Sequence, residues 1–299
     1  MNHIKHQIAT MLMPVARWYF QNLPWRYLKS FLWQQLNWRE HHYSARTKDD
    51  VLMKGRTNDL VQGYIYFFGV WEPNLTHFVR QRMSQNRGRT FIDIGANVGY
   101  FSLLAAKVSE GNVVCIEAFP SIYDKLKENI RINDFKKVRP VFCAATETEK
   151  EISMYHAGPV NEGSTTSVAG KFATQATIVQ GRPLWQILTA AEVNSARLIK
   201  IDVEGAEFSV FQGMIPLLGK FPEDVEIVME ITPTALKPEQ ISDIFRQFSQ
   251  AGFVAYTIRN TYDPEYYLFP QATSRPERMI DLPPSQTDVV FSRVKSDFL

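Results

Sequence analysis

Phe91-Ile-Asp-Ile-Gly-Ala-Asn-Val-Gly-Tyr-Phe101 is the run that decides the fold. An apolar stretch of β type ends on Asp93, a turn carries Gly95 and Gly99, and Tyr100 to Lys107 reads as helix. Strand, glycine turn and helix in this order open a nucleotide-binding α/β unit, in which small residues let a cofactor approach the backbone.

The spacing Gly-Ala-Asn-Val-Gly lacks the middle glycine of a dinucleotide fingerprint. Asn97 stands where a pyrophosphate needs bare backbone. A cofactor without phosphates suits the turn better, and S-adenosylmethionine is the natural candidate, its carboxylate using free N–H groups at the helix start. The next strand, Asn112 to Ile116, ends on Glu117, about 22 residues after Gly95. An acid there accepts hydrogen bonds from ribose hydroxyls. Its alternative role is to pair with the dipole of the helix beginning near Ser121.

A chain of 299 residues, 45% of them hydrophobic, can bury a full core and hold one large α/β domain with an appendage. A net charge of +2 argues against a dedicated nucleic-acid surface. Cys115 and Cys143 lie in apolar strand-like runs and read as reduced core residues, not as a disulfide or metal site. No apolar run is long enough to span a membrane. The short one at Ile8 to Ala16 is interrupted by Pro14, so no signal peptide is expected and the setting reads as cytoplasmic.

Up to residue 46, Lys5, Arg17, Arg26, Lys29, Arg39 and Arg46 face Glu40 alone, among many aromatic residues that include Trp18, Trp25, Phe31 and Trp38. Leu28, Phe31, Leu32 and Leu36 fall on one helical face, with Arg26, Lys29, Ser30 and Asn37 away from it. Such a basic aromatic arm, residues 1–47, suits packing on the catalytic domain or on a second subunit, as lid or dimer arm. A peripheral membrane contact is the competing reading. Residues 48–88 then form a lead-in and 89–299 the cofactor-binding domain.

From Thr90 onward strands alternate with helices, which predicts a doubly wound, mainly parallel sheet covered on both faces. Ser121-Ile-Tyr-Asp124 reads as a capping box, followed by an Ile122, Leu126, Ile130 stripe. Val138 to Ala144, Leu198 to Ile201, Val225 to Ile231, Phe253 to Arg259 and Asp288 to Val294 supply further strands. Two stretches interrupt the rhythm, Tyr155 to Gly181 and Thr261 to Gln286, and read as long functional loops.

Asp93-Ile-Gly-Ala-Asn-Val-Gly99, Glu117 and Leu198-Ile-Lys-Ile-Asp-Val-Glu-Gly-Ala-Glu207 resemble the FkbM-type methyltransferases. The resemblance begins near Tyr64, takes in Gly69-Val-Trp-Glu-Pro73 and leaves the first fifty or so residues uncovered. It implies a Rossmann-like seven-stranded sheet with one antiparallel strand in its last pair, and use of S-adenosylmethionine on hydroxyls of natural products or sugars. It also implies cofactor contacts at Asp93, Gly95, Asn97, Gly99 and Glu117, to which Ala118 is added as Glu117's neighbour. Where the family often has Leu-Asp-Asp, this chain has Leu184-Trp-Gln-Ile.

Methyl transfer to an aliphatic hydroxyl asks for in-line positioning and a base. Acids at the carboxyl ends of the strands are the candidates, namely Asp202 and Glu230, with Glu204 beside them as an acceptor contact. Glu204 and Glu207 also suit the first turn of a helix for dipole reasons alone, and Lys200 suits neutralising nearby carboxylates. His156 is the one histidine in a candidate lid loop and has the pKa of a base near neutrality. Asn161 and Ser164 in that loop could bind a polar acceptor or simply make a turn. No metal is expected. The competing functions are nitrogen or carboxyl methylation, a nicotinamide-dependent oxidoreductase, which Asn97 opposes, and a non-catalytic adaptor on the same fold.

Overall fold

The computed structural model describes residues 2–23, 26–155 and 176–294, so His156, Asn161 and Ser164 lie outside the described residues. The arm forms two helices, α1 (Asn2–Asn22) and α2 (Arg26–Leu36). A hairpin of β1 (His42–Arg46) and β2 (Leu52–Arg56) follows, spanning both sides of residue 47. Next comes α3 (Leu60–Phe68), capped by Asp59 and closed by left-handed Gly69, then α4 (Pro73–Gln85).

The arm packs on α3. Phe20 meets Phe67 at 5.6 Å and Trp33 meets Tyr64 at 5.2 Å, edge to face. The inward face of α2 differs from the apolar stripe expected from sequence. Trp33, Leu36 and Lys29 are buried, whereas Leu28 and Phe31 are exposed. The physical reason is Lys29, whose Nζ donates to the carbonyls of Phe20 at 2.9 Å and Leu268 at 3.1 Å, so its ammonium is satisfied inside.

The central sheet is built from β3 (Thr90–Ile94), α5 (Tyr100–Val108), β4 (Val113–Glu117), α6 (Pro120–Asn133) and β5 (Val138–Phe142) on one side. An insertion then adds β6 (Ala144–Ala145), β7 (Lys150–Tyr155) and β8 (Ala176–Arg182), with β7 antiparallel to β8. Residues 176–181, read as loop from composition, are therefore strand. The helices α7 (Leu184–Ile187) and α8 (Ala190–Asn194) lead to β9 (Ala196–Ile201), α9 (Glu207–Met214), β10 (Glu226–Ile231), α10 (Pro238–Gln250) and β11 (Val254–Ile258). The chain ends its sheet with α11 (Pro264–Leu268), β12 (Glu277–Arg278) and β13 (Thr287–Ser292).

The order across the sheet is β12-β11-β13-β10-β9-β3-β4-β5. Strands β5, β4, β3, β9 and β10 run parallel, and β13 inserts antiparallel between β10 and β11. This is the expected seven-stranded arrangement, with the two-residue β12 added at the edge from the second long stretch. Alternate residues feed opposite layers. Phe91, Val113, Leu198 and Val228 share a core with α3 to α6 and the arm, while Ile92, Val114, Ile199 and Ile227 share one with α7 to α10. The capping box at Ser121 is not formed. Pro120 takes the first helical position with its φ already set, so α6 starts one residue earlier with Phe119 as its cap. Cys115 and Cys143 are free and buried.

Candidate active site

Strand β3 delivers the chain into a turn held by positive φ at Gly95 (80°), Asn97 (52°) and Gly99 (94°). Asn97 tolerates this region because its short side chain bonds locally, and Oδ1 accepts the Val98 N–H at 2.7 Å. Gly95 has a second constraint: a Cβ there would lie 1.8 Å from the carbonyl oxygen of Asp202. The turn after β3 and the end of β9 thus touch through bare backbone. The N–H groups of Gly95 and Ala96 both donate to the Ile116 carbonyl at 3.0 Å, and those of Asn97, Val98 and Gly99 are also bonded within the chain. A cofactor carboxylate therefore does not find free N–H groups in the turn itself, which leaves the first residues of α5, from Tyr100, as the helix start expected from sequence.

Glu117 ends β4. Its Oε2 accepts the Asn97 N–H at 2.9 Å and its Oε1 the Phe119 N–H at 2.8 Å. A carboxylate offers about four lone-pair sites, so capacity remains for ribose hydroxyls. Burial pushes its pKa up to about 7, against the lowering effect of those N–H groups.

A cavity of about 1040 Å³ opens beyond the carboxyl ends of the parallel strands. That is at the upper end of ligand pockets, which run to about 1,000 Å³. Gly95, Asn97, Glu117 and Ala118 line it, as do Asp202, Glu204 and Glu230. Asp93 and Gly99 are not in its wall. Asp93 is buried, with Oδ2 accepting from Ser102 Oγ at 2.6 Å and Oδ1 unpartnered. Gly99 faces Leu126, whose Cδ1 a Cβ there would meet at 2.6 Å.

Sheet register assembles the charged end. Asp93 pairs with Lys200, Lys200 with Val228, and Glu230 with Asp288. Lys200 Nζ donates to Asp202 Oδ2 at 2.8 Å and lies 5.1 Å over the Phe101 ring. Burial by itself lowers the Lys200 pKa, but Asp202, Asp93 and Glu72 outweigh it and keep the ammonium charged. Burial, then Asp202 and Asp288, raises the Glu230 pKa far above the ordinary carboxyl range, even though Gln286 donates to it. Burial and Asp202 also raise Asp288, which accepts from Asn260 at 3.0 Å.

Glu207 opens α9, as expected, but its carboxylate is structural. Oε1 accepts the N–H groups of Val203 and Gly205 at 3.2 and 3.1 Å and fixes the loop. Glu204 precedes the helix, in a turn at φ 56°.

Four residues not singled out from sequence join the site. Glu72 arrives from the N-terminus of α4 and accepts the Tyr262 hydroxyl on Oε1 at 2.9 Å. Tyr262 stacks on Trp71 with centroids 5.2 Å apart and planes at 10°. Gln286 and Asp288 come from the lead into β13 and its first residues. Their available signals were the Gly69–Pro73 run of the resemblance, which holds Glu72, and the second long stretch, which holds Tyr262 and Gln286.

The residues present fit a sulfonium nucleoside. A bare-backbone turn, a buried ribose-type carboxylate and a wall without a phosphate-binding glycine stand together at the switch between β3 and β9.

Residues 93–255 match the Methyltransferase FkbM domain, more than half of the chain, and the protein belongs to the FkbM methyltransferase family, enzymes that use S-adenosylmethionine. Among curated proteins it is similar to the hexuronic acid methyltransferase AglP of Haloferax volcanii, at 23% identity over 52% of this chain and 60% of that protein. It is also similar to the tRNA(Phe) (4-demethylwyosine(37)-C(7)) aminocarboxypropyltransferase of Methanocaldococcus jannaschii, at 30% identity over 26% of this chain and 32% of that protein. Both matches thus span under two thirds of the relative. Among solved structures, a SAM-dependent methyltransferase from Agrobacterium tumefaciens aligns with a TM-score of 0.48 at 12% identity, covering 84% of this chain and 70% of that one.

Proposed function

We propose that the protein transfers a methyl group from S-adenosylmethionine to a hydroxyl of a small-molecule acceptor, a sugar or sugar-like natural product. The observation that carries this reading is continuity: one cavity runs from the cofactor wall at Gly95, Asn97, Glu117 and Ala118 to the carboxyl groups of Asp202 and Glu230. The hexuronic acid named for AglP supports a sugar acceptor.

When bound, S-adenosylmethionine would supply an electrophilic methyl with its thioether sulfur as the leaving group. The chain supplies geometry and a proton acceptor. Asp202, ion-paired to Lys200, takes the hydroxyl proton. Glu230, kept neutral by its surroundings, donates a hydrogen bond to the acceptor, with Glu204 beside it. His156 remains a candidate base, and Asn161 and Ser164 candidate acceptor contacts, outside the described residues.

In the same reading, residues 1–47 form an arm, 48–88 a cap that contributes Glu72, and 89–299 the methyltransferase domain. No helix among the described residues is long and apolar enough to cross a membrane. The outward faces of α1 and α2 expose Leu12, Val15, Trp18, Leu28 and Phe31, which supports peripheral contact with a membrane surface from the cytoplasmic side. The two free, buried cysteines suit that compartment.

The test is release of S-adenosylhomocysteine across a panel of hydroxylated, aminated and carboxylated acceptors. Turnover with a hydroxyl acceptor, abolished by Asp202→Asn with cofactor binding retained, supports the reading. Turnover confined to carboxylates or amines refutes it.

A further inference from the structure

Glu72 is 3% exposed and stands in the cavity wall. One oxygen accepts from Tyr262, while the other, Oε2, is buried with no hydrogen-bond partner. A buried polar atom left unpaired is costly, and burial raises the Glu72 pKa accordingly. Its backbone is also held at φ 44°, ψ 73°, directly before Pro73, where neither glutamate nor a residue preceding proline settles by preference. Strain of this kind collects at functional positions.

The surroundings are rich in carboxyl groups. Among the described residues the cavity is lined by seven carboxyl side chains against two lysines. Both lysines are already engaged, Lys150 with Glu147 and Lys200 with Asp202. Beside Glu72 stands the stacked Trp71–Tyr262 pair, both of which also line the cavity. Burial holds the Glu72 and Glu230 carboxyls protonated in the free protein. An ammonium brought beside Glu72 favours its ionised form, so such a ligand gains a charge-assisted hydrogen bond with release of a proton, and gains from the ring quadrupole besides.

We propose that Glu72 is an acceptor-binding residue, and that the acceptor is a hydroxylated molecule carrying a protonated amine, seated between Glu72, Glu230 and the Trp71–Tyr262 pair. This rests on the methyltransferase reading and narrows its substrate class. An acceptor bearing a carboxylate, such as the hexuronic acid named for AglP, cannot ionise Glu72 in this way and opposes any ionised carboxyl of the cavity wall. The specificity element comes from the lead-in, outside residues 93–255, so the catalytic domain alone does not carry it.

The experiment titrates the full chain, first with S-adenosylhomocysteine and then, once loaded, with methyl glucosaminide, methyl glucoside and methyl glucuronide. Calorimetry is expected to rank the aminated sugar tightest, about tenfold over the neutral one, with the glucuronide weakest. Glu72→Gln, and separately Tyr262→Leu, should erase most of that preference while S-adenosylhomocysteine binds as before, which also shows that the variants fold. Equal binding of the three sugars, preference for the glucuronide, no binding of the glucosaminide, or a preference untouched by Glu72→Gln overturns the proposal. Failure of S-adenosylhomocysteine to bind strikes the methyltransferase reading instead.

Discussion

The backbone N–H of Asn97 meets Oε2 of Glu117 at 2.9 Å. The turn that follows β3 and the acid that ends β4 are therefore one unit, and displacing either moves the other. Gly95 extends the same unit to the end of β9, because its missing Cβ lets the Asp202 carbonyl approach.

Glu117 also sets a pH dependence. Its pKa rises from 4.5 to about 7 through burial, so between those values the folded protein holds a proton that the unfolded chain has released. This contribution to stability is full below the unfolded value and lost as the pH climbs through about 7. Burial shifts Glu72, Asp93 and Glu230 in the same direction. The free protein is expected to melt about 5 °C lower at mildly alkaline than at mildly acidic pH, and Glu117→Gln should flatten that slope. Differential scanning fluorimetry across pH measures it; a melting temperature that rises with pH contradicts the assignment.

At the opposite end of the sheet, Glu226 Oε2 accepts from Arg82 at 2.6 Å and Arg197 at 2.7 Å, all three side chains buried. Glu226→Leu leaves two guanidinium groups buried without their carboxylate and is expected to cost about 3–5 kcal/mol. Urea unfolding gives the value. A loss below about 1 kcal/mol shows that the arginines find other partners.

The parts of this molecule legible from sequence are those fixed by local chain chemistry. Phe91 to Phe101 announces strand, turn and helix because alternation, glycine and helical period change within eleven residues. Glu117 was legible because a strand end after a βα unit has a defined place in this fold. Glu72, Tyr262, Gln286 and Asp288 were not: the Gly69–Pro73 run and the second long stretch stood out, but nothing local gave these side chains a role. A helix cap, a loop and an antiparallel strand bring them in from both ends of the chain. Strand β8 escaped because residues 155–181, rich in Gly, Ser and Thr, were read together as one loop. On α2 the apolar stripe misled, because Lys29 found two carbonyls inside and left Leu28 and Phe31 in solvent.

Trp18 and Phe31 are 57% and 58% exposed on adjacent helices. Replacing both with serine should leave the fold intact, because neither packs on the core. It should also reduce co-sedimentation with anionic phospholipid vesicles several-fold. Equal pelleting of the two proteins removes the membrane contact, and a concentration-dependent change in gel filtration that the variant abolishes assigns the face to a second copy.

The most direct measurement is calorimetric titration of the full chain and of Glu117→Ala with S-adenosylmethionine. The expected result is micromolar-range binding, about −8 kcal/mol, weakened at least about tenfold by the substitution, with no heat from NAD. Equal affinity of the two proteins, or binding of NAD in place of the sulfonium nucleoside, contradicts the account.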